Sequence, residues 1–304
     1  MNIFPENARV CFVGDSITHN NGFVSHIVMY YNENLKERNV NFYNCGTAGG
    51  ELATALSVFD DDIMVHRPTH AVIMLGMNDS SHASLAIKRG EERYNLLLTA
   101  FEKYKVNLNA LCERFSAKGV EIILCTPTPY AEHQSSEVES LPGGFALIGA
   151  YADFVRSFAG EKVYVLCDFH ACISEKAQSE NVINPDRVHP NDLGHYYMAK
   201  YFLSLQGLEM GEMKPFPAYM KKWRSNLEIL RDIRAAEYLV AKDYSLSTEE
   251  RIRKMKEYIE NAEDGPYKEY IIFLARRYIR NKPLQEKLEE ETNYIMETEM
   301  KKAT

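Results

Sequence analysis

The sequence predicts a doubly wound α/β domain followed by an all-helical extension. Short runs that are apolar throughout, rather than alternating, alternate with longer amphipathic stretches across the first two thirds of the 304 residues. Strands of that kind are buried on both faces, and strand–helix alternation implies parallel crossovers. Beyond Gly207 no strand-like run appears.

The elements follow in order. The first run, Arg9 to Val13, ends at Gly14-Asp15-Ser16. A helix-like stretch, Phe23 to Arg38, leads to the second run, Val40 to Tyr43, which exits into Asn44-Cys45-Gly46-Thr47-Ala48-Gly49-Gly50. Glu51 to Phe59 reads as a helix before the third run, His70 to Leu75, whose exit is Gly76-Met77-Asn78-Asp79. The long amphipathic stretch Glu91 to Lys118 returns to the fourth run, Val120 to Cys125, and Thr126-Pro127-Thr128-Pro129-Tyr130 then forms a loop stiffened by two prolines. Phe145 to Phe158 precedes the fifth run, Lys162 to Cys167, and an amphipathic helix over Asp192 to Leu205 completes a domain of residues 1–210. In open sheets, ligands bind beyond the carboxyl ends of the strands where strand order reverses. With the order 2-1-3-4-5, the first three strands are neighbours and their polar exits converge on one crevice.

Residues 211–304 read as the helical extension, entered through Pro215 and Pro217. Apolar residues recur at helical spacing: Met220, Trp223, Leu227 and Leu230; Ile252, Met255 and Ile259; Ile271, Leu274 and Tyr278; Leu284 and Leu288. These stripes are expected to pack within the protein, and they also offer a lid or a surface for self-association.

Composition narrows the partners. The net charge is −8, and it sits in the first 210 residues, where 16 Lys and Arg face 25 Asp and Glu; from Gly211 onward 19 face 18. An acidic face repels phosphate backbones and anionic lipids, so nucleic acid is not an expected partner. No run approaches the eighteen or so apolar residues that span a bilayer. The six cysteines form no Cys-x-x-Cys pair, and they read as reduced and buried, which with the lack of a leader-like start points to the cytoplasm. No His-Glu-x-x-His, Gly-x-x-x-x-Gly-Lys or Gly-x-Gly-x-x-Gly motif is present, so neither a metal nor a cofactor is expected.

The candidate chemistry lies in Gly14-Asp15-Ser16-Ile17 and Asp186-Arg187-Val188-His189-Pro190. A serine hydroxyl is a poor nucleophile unless an imidazole takes its proton, and the imidazole needs a carboxylate to fix its tautomer. His189 lies three positions after Asp186, close enough for one turn of backbone to pair them, and Pro190 keeps His189 out of a helix. Each residue also has a plain structural reading: Ser16 as a helix cap, Asp186 as a turn residue, Asn78 in a left-handed turn, the glycines in a tight strand exit. Four such coincidences at one sheet edge favour the catalytic reading.

Gly14-Asp15-Ser16-Ile17-Thr18, Asn44-Cys45-Gly46-Thr47-Ala48-Gly49, Gly76-Met77-Asn78-Asp79 and Asp186-Arg187-Val188-His189-Pro190 resemble, in order, the four signature blocks of the SGNH hydrolases, or GDSL esterases and lipases, over about residues 8–206. The resemblance implies a flavodoxin-like sheet, Ser16 as nucleophile, His189 as general base and acid, and Asp186 as its partner. It also implies an oxyanion hole from the backbone N–H groups of Ser16 and Gly49 and the side-chain amide of Asn78. The missing Gly-x-Ser-x-Gly elbow separates this reading from the α/β-hydrolases. Asp15, His19 and Tyr130 are candidates for the substrate pocket, Asp79 is expected to brace its loop, and His195 to pack.

The expected activity is hydrolysis of a small-molecule oxygen ester, with acetyl on a carbohydrate or similar small polar alcohol favoured. The competing readings are a longer-chain acylhydrolase or lysophospholipase, acyl transfer to an alcohol, and a binding module that keeps the fold without the chemistry.

Overall fold

The structure, a computed structural model, describes residues 1–240, 246–261 and 268–299. Its contacts divide the chain into two compact units, Met1–Lys214 and Pro215–Thr304.

The first unit is built on five parallel strands: β1 (Arg9–Gly14), β2 (Asn41–Gly46), β3 (His70–Met74), β4 (Glu121–Cys125) and β5 (Val165–Cys167), in the order β2-β1-β3-β4-β5. Eight helices accompany them: α1 (Ser16–His19), α2 (Gly22–Asn34), α3 (Leu52–Ser57), α4 (Ser84–Ile87), α5 (Gly90–Ser116), α6 (Gly144–Lys162), α7 (Phe169–Lys176) and α8 (Asp192–Ser204).

Period-two alternation explains why the strands read as apolar throughout. On one face Cys11, Val13, Ala71, Ile73, Ile122 and Leu124 join a core with Leu108, Leu111 and Phe115 of α5 and Tyr151 and Val155 of α6. The alternate residues serve the other face, where the Phe12 ring lies 5.7 Å from Phe23 of α2 and 6.2 Å from Phe202 of α8. Each fully buried aromatic or aliphatic side chain contributes about 1.5–3 kcal/mol, so both layers bind the helices firmly to the sheet.

Register then fixes where the loops emerge. Gly14 pairs with Gly46 on one side and Met74 on the other, so the first three strands end level. Ser16, Gly49 and Asn78 each follow within four residues of those ends. Gly14 is required for the close fold-back of α1, because a Cβ there would lie 2.1 Å from Thr18 Oγ1 and 2.9 Å from the Met74 carbonyl oxygen.

Several elements differ from expectation: β2 runs on to Gly46, three residues into the expected exit loop, and the short α4 was not expected. The fifth strand holds only Val165–Cys167, because α6 runs on to Lys162 and ends on Val163 in a left-handed conformation, φ 59°. An additional helix, α7, follows β5, capped by Asp168, whose carboxylate accepts from the Ala171 N–H at 3.1 Å.

The second unit contains α9 (Ala218–Val240), α10 (Thr248–Asn261), α11 (Lys268–Asn281) and α12 (Gln285–Tyr294). Ile233 and Ala236 of α9, Met255 of α10, and Leu274, Ala275 and Tyr278 of α11 form its buried core. Leu284, read from sequence as part of an apolar stripe, is instead 53% exposed, on a 3-10 turn before α12. The side chain of Ile271 lies outside the described residues. All six cysteines are free, and all but Cys172 are buried. Among the described residues no helix is long and apolar enough to cross a membrane.

Candidate active site

Asp15 ends the turn after β1 as the N-cap of α1, its carboxylate accepting the Ile17 N–H at 3.0 Å, which presents Ser16 as the first helical residue. Ser16 Oγ lies 2.7 Å from His189 Nε2. His189 Nδ1 lies 2.7 Å from Asp186 Oδ2. The other oxygen of Asp186 accepts the N–H groups of Val188, at 2.9 Å, and His189, at 3.0 Å. The three-residue spacing thus forms a capped turn in which the carboxylate is held by two backbone donors while it grips the ring. With the Nδ1 proton directed at Asp186, Nε2 is left to accept the Ser16 hydroxyl proton.

The electrostatics match that geometry. Partial burial favours the neutral carboxyl at Asp186, but its bonds to the His189 ring and to two backbone N–H groups prevail and lower its pKa to about 2. Burial disfavours the charged His189 ring, yet the hydrogen bond and charge of Asp186, helped by the charge of Asp15, raise its pKa above the ordinary value. A protonated His189 ring therefore faces a fixed negative charge.

The neighbouring donors are arranged by the second and third strand exits. Gly50 N–H donates to the Thr47 carbonyl at 2.8 Å and is spent. Gly49 adopts φ 71°, a left-handed conformation that favours glycine. Among the described residues neither the Gly49 N–H nor the Ser16 N–H has an acceptor. Asn78 donates one amide hydrogen to the Gly50 carbonyl at 3.0 Å, which orients the side chain and leaves the second hydrogen available. Asp79 Oδ1 accepts the Leu52 N–H at 2.9 Å and so ties the third exit to α3, as a brace. Burial, with smaller help from the charges of Glu51 and Asp15, raises the pKa of Asp79 to about 7.

The pocket candidates fare differently. Asp15 and His19 are 2% and 3% exposed, so neither offers its side chain to an open pocket mouth, whereas Tyr130, 2% exposed, lies in the wall of a cleft beside the loop after β4. The Asp15 carboxylate is occupied as a cap, and the Tyr130 hydroxyl accepts from the Leu141 N–H at 3.0 Å while its ring packs with Met77 and Ile148. His195 stacks on Phe23 at 6.3 Å, a packing role.

Two further residues have no assigned role in the sequence reading. His82, whose Nδ1 donates to the Met77 carbonyl at 2.9 Å, lies close enough to His189 for the two ring charges to oppose each other. Arg187 is 5% exposed, adopts φ 69°, and donates to the carbonyls of Ala131, Glu132, Gln134 and Val138. That guanidinium joins the Asp186–His189 turn to the loop after β4. The only sequence signals were the position of His82 four residues after Asn78, and an arginine inside the turn.

A doubly wound parallel sheet of order β2-β1-β3-β4-β5 thus carries a hydrogen-bonded Asp–His–Ser chain. The chain belongs to the GDSL-like lipase/acylhydrolase family, whose model matches residues 12–197. It is 23% identical over 219 residues to an acetylxylan esterase of Geobacillus stearothermophilus, covering 66% of this chain and 94% of that protein. The solved structure of a catalytic mutant of that enzyme superposes with a TM-score of 0.59 at 22% identity, over 70% of this chain and 100% of the other. The solved variants described as its catalytic mutants replace a serine, an aspartate and a histidine, with the aspartate three positions before the histidine. A gut microbial diltiazem-metabolizing enzyme is similar over 98% of this chain and 96% of its own, with a TM-score of 0.77 and 15% identity, so its likeness extends through the helical unit.

Proposed function

We propose that the protein is a metal-independent serine esterase that removes a small acyl group, acetyl above all, from a carbohydrate or similar polar alcohol. The single observation that carries the mechanism is the unbroken chain from Asp186 through His189 to Ser16, with both links at 2.7 Å. His189 Nε2 takes the hydroxyl proton as Ser16 Oγ bonds to the ester carbonyl carbon, and the carbonyl electron pair moves to oxygen. The Ser16 and Gly49 N–H groups and the free Asn78 amide hydrogen receive that oxyanion, each donor accounting for a factor of about 10²–10³. Collapse breaks the bond to the alcohol oxygen, which leaves with the proton from His189. Water then gives its proton to His189 and attacks the acyl-serine, and the proton returns to Ser16 as the acid departs.

The substrate reading is supported by the acetylxylan esterase relative, 94% of whose length matches 66% of this chain, and by the same serine, aspartate and histidine types, with the same three-residue offset, in its catalytic mutants. A panel of acetylated xylo-oligosaccharides, p-nitrophenyl acetate and p-nitrophenyl decanoate tests it. Release of acetate from the sugars with the highest kcat/KM is expected; faster turnover of the decanoate contradicts the acetyl preference.

A further inference from the structure

A second cleft, of about 650 Å³, opens in the first unit between the loop after β4 and the end of α7. That volume lies within the range of about 300–1,000 Å³ usual for small-molecule sites. Ser174, Ala177 and Gln178 line it, and His170 lies one turn earlier on the same stripe of α7. Phe145 of α6 forms a wall, 40% exposed, with its ring 5.6 Å from that of His170. His170 is 7% exposed, yet its Nε2 has no hydrogen-bond partner among the described residues, nor has the buried Oγ of Ser174. Both atoms are sealed from the cleft, and the polar groups that face it are those of His133, Ser135, Gln178, Ser179 and Asn181, all exposed along its rim.

The lining also states the ligand's charge. Neither lysine nor arginine contributes to it, so no fixed positive charge lines it. Its two carboxylates have partners already: Glu132 accepts from the Gly143 and Phe145 N–H groups at 2.9 and 3.0 Å, and Glu180 from the Tyr197 hydroxyl at 2.7 Å. Hydroxyls, amides, imidazole nitrogens and one aromatic face remain. That set fits a neutral ring with hydroxyls around its edge and C–H bonds on its face.

The cleft shares its frame with the active site. Arg187, beside Asp186, holds the carbonyls of Ala131, Glu132 and Gln134 in the cleft wall, and Gln134 donates at 2.9 Å to Ile183, which pairs with Pro190. We propose that this cleft is a carbohydrate subsite, taking a neutral sugar unit against Phe145 and the α7 stripe. Its role in holding a chain whose ester is cleaved at Ser16 rests on the reading given above; its affinity for sugar does not.

Titration of xylotriose into the full chain carrying Ser16→Ala, read by calorimetry, tests the assignment without turnover. Saturable binding is expected, weakened about tenfold by Phe145→Ala, the loss of one aromatic platform. Ala177→Trp, a substitution at an exposed position that fills the cleft, is expected to abolish it. Absence of binding, binding indifferent to both substitutions, or equal binding of trigalacturonic acid, which the acidic lining disfavours, overturns the proposal. Each result is independent of whether Ser16 is the nucleophile, so failure of one reading leaves the other standing.

Discussion

Replacing Asp186 by Asn removes one charge and one acceptor from the site and little else. The amide oxygen can still accept from the Val188 and His189 N–H groups, now at 2.9 and 3.0 Å, so the turn is preserved. The amide nitrogen then occupies the position 2.7 Å from His189 Nδ1, where it donates and forces the ring proton onto Nε2. Nε2 in that tautomer faces Ser16 as a donor and cannot take its proton. A tautomer inversion of this kind lowers kcat about 10⁴-fold in the best-characterised serine hydrolase triad, or about 5.5 kcal/mol of transition-state stabilisation. The stability cost is far smaller. The depression of the Asp186 pKa from 3.8 to about 2 corresponds to about 2 kcal/mol for a shielded group, and its 48% exposure discounts this to about 1 kcal/mol. That contribution is present above pH 3.8 and lost as pH falls through about 2. Turnover of p-nitrophenyl acetate, with a thermal melt on the same sample at pH 7, separates the two effects. A folded Asp186→Asn protein that keeps kcat within tenfold of the parent refutes the reasoning.

Three other outcomes follow from the same geometry. Because the His189 pKa is raised and only the neutral ring is a base, kcat/KM is expected to rise with pH through an inflection above 6.5; an inflection below 6 contradicts the Asp186 pairing. Asn78→Ala is expected to lower kcat about 10²–10³-fold with little change in KM, since its free amide hydrogen acts on charge that develops in the transition state; steady-state kinetics showing a change in KM alone would assign Asn78 to ground-state binding. Asp79 has a folded-state pKa of about 7, so its contribution to stability is present below pH 3.8 and falls as pH rises through 7. Asp79→Asn is therefore expected to stabilise the protein by up to about 4 kcal/mol at pH 8 and little at pH 4, measured by denaturant titration; destabilisation that is greater at pH 8 contradicts the burial argument.

Much of the sheet was legible because burial on both faces removes the alternation that a half-exposed strand shows, as in the run through Cys11, Phe12 and Val13. The strand order came with the resemblance, and the polar exits of the first three strands agreed with it. The start of the fifth run differs because Val163, a β-branched residue in a strand-like stretch, instead ends α6 in a left-handed conformation and leaves its side chain 89% exposed. The helix α7 is short, and its one strong local signal was Asp168 as a cap. The grouping of Ser16, His189 and Asp186 was legible because two of the three lie a single turn apart. What held that turn was not: Arg187 reaches carbonyls about fifty residues away in sequence, and no residue pattern marks a backbone oxygen as a partner. Exposure was equally hidden, since the polarity of His19 and Asp15 pointed to a pocket mouth while the packing of α1 onto the strand ends buried both.

The central claim is that the Ser16 hydroxyl is made nucleophilic by the imidazole 2.7 Å away. Peptide mass spectrometry after treatment with a fluorophosphonate measures this most directly. The account predicts one adduct, on Ser16, formed at a rate that collapses in His189→Ala. Folded, active protein that stays unlabelled, or carries the adduct on another residue, contradicts it.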